Sequence, residues 1–296
     1  MTEQSISVVI CTYNRAKYIE GSLTHLVNQN LAAKYFEILV VNNNCTDGTQ
    51  AIVDDFISRY PQYDIRQVFE SNQGLSFARN LGVKEAKYDL ICFIDDDGYA
   101  KCDYLENIKT YFEQNPKLRG LGGKVIPVYE SAEPDWYNPF LRMMVTSIDF
   151  GTRIKKSKGK QYPAGCSMIY KKEDILNVGG FNNDLKWRAD DKYIFHQISS
   201  LSDEIYYHPK LVVKHHIDDK RLTDENFVRL SGLLGSEERL RILGKKKWAY
   251  PFKLLEFVFK YFASLLIAVY FTFLGEPKKG LYTIRFRWEA LKKFVG

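Results

Sequence analysis

Among its 296 residues the chain has only five cysteines, four methionines and four tryptophans. The cysteines (Cys11, Cys45, Cys92, Cys102, Cys166) are scattered, odd in number and without a CxxC pair. That argues against a disulfide framework and a thiolate zinc site, and it fits a reducing compartment. Two phosphate-binding signatures are also missing. There is no GxxxxGK loop and no GxGxxG fingerprint, and the glycines of "GLGGKV" (120–125) fall at another spacing. Any bound nucleotide is then held by side chains and a metal. The N-terminus has no basic segment leading into an apolar run, so no leader peptide is expected. Internal repeats and low-complexity stretches are absent as well.

The net charge of +6 is unevenly spread. Residues 239–296 hold 13 Lys and Arg against 3 Asp and Glu, a balance of +10, while the remainder carries −4. A mildly acidic body thus bears a basic, aromatic-rich tail.

The first half alternates strand and helix patterns. Strands are expected at 6–11, 36–41, 65–70 and 90–95, and helices at 16–30, 46–60, 75–86 and 103–114. This rhythm implies an α/β fold with a mostly parallel sheet flanked by helices. Ligands of such sheets bind beyond the carboxyl ends of the strands. Cys11–Arg15, Asn42–Asp47, Ser71–Gly74 and Asp95–Asp97 all follow strands, so they should converge on one rim. Further on, residues 129–160 look like a polar, loop-rich insertion. A strand, a helix and a Gly-Gly turn follow within 166–181, then a helix at 190–201 and strand-like runs at 204–216.

The stretch "ICFIDDDGYAKC" (91–102) ends a buried strand on Asp95, Asp96 and Asp97. At about 4 Å, each such like-charge pair costs roughly 4 kcal/mol at an intermediate dielectric. Alternate strand residues share a side, so Asp95 and Asp97 can face one way, with Asp96 turned away or toward a sugar hydroxyl. Two hard oxygen ligands on a flexible turn suit Mg²⁺ or Mn²⁺, with phosphate oxygens completing the shell. Taken alone, the three aspartates fit an acidic loop capping the next helix equally well.

The tail contains "PFKLLEFVFKYFASLLIAVYFTFLG" (251–275). Its uninterrupted apolar run is about 14 residues. Admitting Lys260 gives about 19, or roughly 28 Å as a helix, barely a span. Lys253, Glu256, Lys260 and Ser264 form one polar stripe, which suits a helix lying in a membrane interface or docked on protein better than one crossing lipid. In 281–295, Leu281, Ile284, Trp288, Leu291 and Val295 share a face, with Arg285, Arg287, Lys292 and Lys293 off it. Basic amphipathic helices of this kind bind anionic lipid surfaces. A helical hairpin packed on the domain is the plainer alternative. Nucleic acid is not an expected partner, because the basic residues flank apolar runs rather than a polar groove.

Six segments together resemble a glycosyltransferase of family 2, with the nucleotide-sugar-binding fold called GT-A. They are "SVVICTYNR", "VVNNNCTDGT", "NQGLSFARNLG", "FIDDDG", "PAGCSMIYKKEDILNVGGFNNDL" and "WRADDKYIFHQI", in the family's order across roughly residues 5–220. The resemblance implies that Thr12, Tyr13, Arg15, Asn42 and Arg79 line the pocket for nucleobase and ribose. It makes Asp97 the metal ligand, with Asp95 and Asp96 toward ribose and metal. Asn42 stands where relatives often have Asp, and "ADD" (189–191) stands where they commonly have Glu-Asp. Asp191 is then the general base of an inverting transfer, in which no covalent intermediate is needed. His216 and Arg221 fit a His-to-Arg spacing after the last strand, as metal ligand and diphosphate contact. Trp187 either stacks on a sugar ring or fills core.

The chain is accordingly expected to comprise a transferase domain at 1–235 and a basic amphipathic helical tail at 236–296. The donor is a nucleotide-diphosphate sugar, UDP-linked, used with Mn²⁺ or Mg²⁺. The acceptor is a glycan or a lipid-linked molecule in surface polysaccharide or glycoconjugate assembly. The tail would hold the enzyme at the cytoplasmic face of the cell membrane, against an anionic surface. Two alternatives remain: a sugar nucleotidyltransferase, for which "CTYNRAKY" lacks the glycine-rich triphosphate loop, and an inactive sugar-nucleotide-binding or glycan-binding scaffold.

Overall fold

A computed structural model describes residues 4–184, 190–245 and 247–296. The chain divides into two compact units, Met1–Ile126 with Ile148–His216, and Pro127–Ser147 with Ile217–Gly296.

The first unit is built on one mixed sheet. Strands β1 (Ile6–Thr12), β2 (Phe36–Asn42), β3 (Ile65–Phe69) and β4 (Leu90–Phe93) lie parallel, as their alternation with helices requires. The connecting helices are α1 (Ile19–Val27), α2 (Thr49–Arg59) and α3 (Leu75–Glu85). After β4 come a short strand β5 (Gly98–Ala100), helix α4 (Tyr104–Gln114), strand β6 (Gly120–Tyr129) and a two-residue strand β7 (Lys155–Lys156). Next are β8 (Met168–Lys171), α5 (Lys172–Asn177), α6 (Asp190–Leu201) and β9 (Ile205–Ile217). The strand order is β3-β2-β1-β4-β8-β6-β9-β5, with β7 paired to β9. β8 runs antiparallel to β4, and β5 antiparallel to β9.

Period-two alternation sorts the two cores. Ile6, Val8, Ile10, Ile38 and Val40 point to the face covered by α1, α2 and α4. Val9, Leu39, Val41, Ile91 and Phe93 point to the face covered by α3, α5 and α6. β6 is the strand that composition hides, because its glycines sit where neighbours come close. A Cβ on Gly122 would lie 2.7 Å from the Pro163 backbone, and one on Gly123 would lie 2.3 Å from the Leu211 carbonyl. All five cysteines are free thiols, matching the absence of a disulfide framework.

The second unit joins residues 127–147 to α7 (Asp224–Lys245), α8 (Tyr250–Phe273) and α9 (Pro277–Val295). The division expected from composition, at 235, falls inside α7. Packing moves it to 217 and adds the inserted segment, because Trp136, Leu141 and Met144 share a core with Phe227, Leu230 and Phe286. The segment expected to be polar loop is therefore partly core. In α9 the buried face is Gly280, Thr283, Phe286, Ala290 and Phe294, while Leu281, Trp288 and Val295 are exposed. In α8 the polar stripe turns inward: Lys253 reaches Glu238 of α7 at 2.8 Å, Lys260 pairs with Glu256, and Ser264 is buried. The apolar side of α8 faces outward.

One buried charge stabilises the first unit. Glu37, at the start of β2, is fully buried and accepts from Ser7 Oγ at 2.5 Å, the Lys87 N–H at 2.6 Å and Arg66 Nε at 3.0 Å. Glu37→Ala leaves three donors without this acceptor and is expected to cost ~3 kcal/mol, read as a lower urea midpoint.

Candidate active site

Parallel strands β1, β2 and β4 end on the same rim; β1 ends on Thr12, β2 on Asn42, and β4 is followed after Ile94 by Asp95. Thr12 and Asn42 are opposite one another in the β1–β2 register, and both are buried. The Asn42 Oδ1 accepts the Cys45 N–H at 2.9 Å, so the side chain closes its own turn. Tyr13 is half exposed beside them. Asn14 and Asn44 take left-handed conformations, φ 54° and 63°, and the Asn14 Oδ1 accepts the Thr46 N–H at 2.7 Å, tying the two loops together.

After β4 the three aspartates diverge. Asp95 Oδ1 lies 3.4 Å from Arg79 Nη2. Asp96 and Asp97 share Arg15, at 3.5 Å to Nε and 3.4 Å to Nη2 respectively. Burial, then the neighbouring Asp97 charge, pushes the Asp96 carboxyl well above the usual carboxylate range, against the pull of Arg15. The Asp97 Oδ1 lies 3.1 Å from His215 Nε2, and both side chains are buried.

Asp95, Asp97 and His215 offer ligand atoms within 4.8 Å of one another. Two carboxylates and an imidazole form a donor set suited to Mn²⁺ or a similar divalent ion. The His215 Nδ1 is buried and has no hydrogen-bond partner among the described residues. The histidine gathered here is not the one singled out in the sequence. The His216 ring lies 4.0 Å from that of Tyr99, tilted by 40°, and its backbone N–H donates to the Asp97 carbonyl at 2.9 Å. The phase of β9 explains this: Leu211, Val213 and His215 point inward, while exposed Lys214 shares the other face with His216. That alternation was legible in "LVVKHHI".

Arg79 is also placed otherwise than expected. It projects from the inner face of α3, 3% exposed, with its guanidinium over the rings of Phe93 and Phe181 at 5.7 and 5.6 Å. One branch pairs with Asp190 and the other with Asp95. Gly165 passes over it, and a Cβ there would sit 2.6 Å from Arg79 Nη2. The Gly165 N–H donates to Asp191 Oδ2 at 3.2 Å, and the Lys192 N–H to Asp191 Oδ1 at 2.6 Å. Asp190 is thus held by charge and the partly buried Asp191 by backbone donors. Burial raises the Asp191 carboxyl above its usual range, with Arg79 opposing. Among the described residues, the first unit therefore brings together Asp95, Asp96, Asp97, Arg15, Arg79, Asp190, Asp191 and His215. Arg221 belongs to the second unit, where its Nη2 donates to Thr146 Oγ1 at 2.9 Å. Trp187 lies outside the described residues.

Arg79→Ala leaves Asp190 buried without its counter-charge, so a loss of about 3–5 kcal/mol is expected in urea unfolding. Arg79→Lys, which keeps the charge but not the fork, should recover only part of it.

Residues 7–175 match the family model of Glycosyl transferase family 2. Over 197 residues the chain is 27% identical to a glucosyl-dolichyl phosphate glucuronosyltransferase of Haloferax volcanii, which covers 64% of this chain and 59% of that protein. Its fold superposes on the mannosyltransferase PcManGT from Pyrobaculum calidifontis, solved with GDP-Man and Mn²⁺, with a TM-score of 0.67 at 19% identity over 99% and 88% of the two chains. It also superposes on S. aureus TarS 1-349 in complex with UDP-GlcNAc, with a TM-score of 0.58 at 19% identity over 80% and 67%. The fold is therefore GT-A, as the resemblance implied. With more than half of its length matched and that fold in common, the chain belongs to glycosyl transferase family 2.

Proposed function

We propose that the protein is an inverting, metal-dependent glycosyltransferase. It transfers a sugar from a nucleotide-diphosphate donor, UDP-linked, to a glycan or lipid-linked acceptor. The observation that carries this is the gathering of Asp95, Asp97 and His215 within 4.8 Å, in the unit where Gly165 and Arg79 tie in Asp191. GDP-Man and UDP-GlcNAc in the two structural neighbours, and a dolichyl phosphate acceptor in the name of the Haloferax relative, support the substrate classes.

Asp95, Asp97 and His215 would hold the cation, which when bound supplies Lewis-acid stabilisation of the departing diphosphate. Thr12, Tyr13 and Asn42 line the nucleoside side. Asp191 accepts the proton of the acceptor hydroxyl as that oxygen bonds to the anomeric carbon. The bond from that carbon to the diphosphate oxygen breaks with its electron pair, and the configuration inverts. Two backbone N–H groups orient the Asp191 oxygens, and burial makes the carboxylate a better base than one in water. Arg79 acts by positioning: it holds the start of α6 against the end of β4. The outward apolar side of α8 and the basic α9 support attachment to an anionic membrane surface, on the cytoplasmic face.

Asp191→Asn is expected to lower kcat by about 10²–10⁴-fold while donor binding persists, measured as nucleotide release and by donor titration. Transfer at the wild-type rate would remove Asp191 from the role of base. Because its folded pKa is raised, the unsubstituted enzyme should lose kcat/KM on acidification at a pH above the roughly 4 of an ordinary aspartate. His215→Ala should raise the Mn²⁺ concentration needed for donor-induced thermal stabilisation by at least about 10-fold, the lower end of the loss seen even for residues behind the ligands. His216→Ala should leave that concentration within a few-fold of wild type, and the reverse order would reassign the ligand.

A further inference from the structure

By length and composition α8 could cross a bilayer, and little of it is covered by the rest of the chain. Its packing points to another orientation. Phe252, Leu255, Phe259, Phe262, Leu266 and Phe273 are all exposed, at spacings of three, four or seven, and so form one stripe. The opposite side is a ladder of charges: Lys253 bridges Glu238 and Glu256 at 2.8 Å each, and Lys260 continues it. A soluble helix has this polarity reversed.

α9 decides how such a helix can meet lipid. It lies antiparallel against α8 along most of its length: Gly280 abuts Ala268, Trp288 meets Tyr261 at 5.6 Å, and Phe294 stacks on Phe257 at 4.5 Å. α9 carries six Lys and Arg in 19 residues. If α8 entered a bilayer end-on, Arg285 and Arg287 would be carried to the level of Tyr261, the middle of α8. Ionised groups are strongly disfavoured there.

We propose that α8 and α9 lie side-on upon a bilayer with anionic headgroups. The α8 stripe presses into the acyl boundary, and both helix axes run parallel to the surface. A groove of about 460 Å³ between the helices, lined by Tyr261, Leu281, Ile284, Arg285 and Trp288, carries the apolar surface across to α9. The exposed indoles of Trp248 and Trp288 suit the headgroup level, and the basic excess of α9, six Lys and Arg against one Glu, complements anionic lipid. The proposal rests on the membrane attachment proposed above and gives it a geometry.

The test uses the full chain on vesicles of phosphatidylglycerol and phosphatidylcholine. An environment-sensitive fluorophore is placed at Phe252→Cys, Phe262→Cys or Phe273→Cys in turn, sites spread over ~32 Å of helix. The labelled unsubstituted chain, with its own cysteines, is the blank. Lipids brominated near the headgroup should quench all three labels about equally, and lipids brominated near the chain ends should quench all three weakly. A deep Phe262 site between two shallow ones would mean end-on insertion and would overturn the proposal. Phe259→Glu combined with Phe262→Glu should reduce flotation with anionic vesicles at least tenfold and leave nucleotide release unchanged. Undiminished flotation would also overturn it. If the unsubstituted chain ignores vesicles and self-associates through this face in lipid-free buffer, the membrane attachment falls with the proposal, while the transferase assignment stands.

Discussion

The first unit depends on balancing carboxylates against two guanidinium groups. Asp95, Asp96, Asp97 and Asp190 are linked by ion pairs to Arg15 and Arg79. Without those cations the repulsion would reach roughly 4 kcal/mol for each pair about 4 Å apart. Arg79 matters most, because its two branches hold different elements. One pins the end of β4 and the other the start of α6, and the rings of Phe93 and Phe181 keep the guanidinium dry. The same charge tempers the rise that burial imposes on Asp191. A single side chain therefore helps set both the position of Asp95 and the electrostatics of Asp191.

The parallel half of the fold was legible because local pattern decides it. Ile6, Val8, Val9 and Ile10 make a short apolar run that ends in turn residues, and four such runs alternate with helical patterns. The start of α6 at Asp190 and the Gly179–Gly180 turn, with φ 83° and 77°, were equally local. The partner of Arg79 was not, since Asp190 is brought to it only when α3 and α6 pack on the same face of the sheet. For the two adjacent histidines the information was present but lay in strand phase, where exposed Lys214 marks the outer face. For α8 the sequence displayed two faces without saying which one the protein would cover. Only Glu238, on another helix, settles that Lys253 turns inward.

Close approach of helices in the second unit is bought with glycine. A Cβ on Gly235 would lie 2.0 Å from the Ala290 carbonyl, and one on Gly280 would lie 2.6 Å from Ala268 Cα. α9 is thereby held between α7 and α8. Its Phe294 packs against Tyr250 and Phe257 on one side, and Phe286 joins the Trp136 core on the other.

The inserted segment 127–147 has a consequence for biogenesis. Trp136 packs against Phe227 and Tyr282, at 5.1 and 5.7 Å between ring centroids. Those partners leave the ribosome about 90 and 150 residues later, a delay on the order of ten seconds at ordinary elongation speed. Until then Trp136, Leu141 and Met144 lack first the α7 side and then the α9 side of the core they share with Phe227, Leu230 and Phe286.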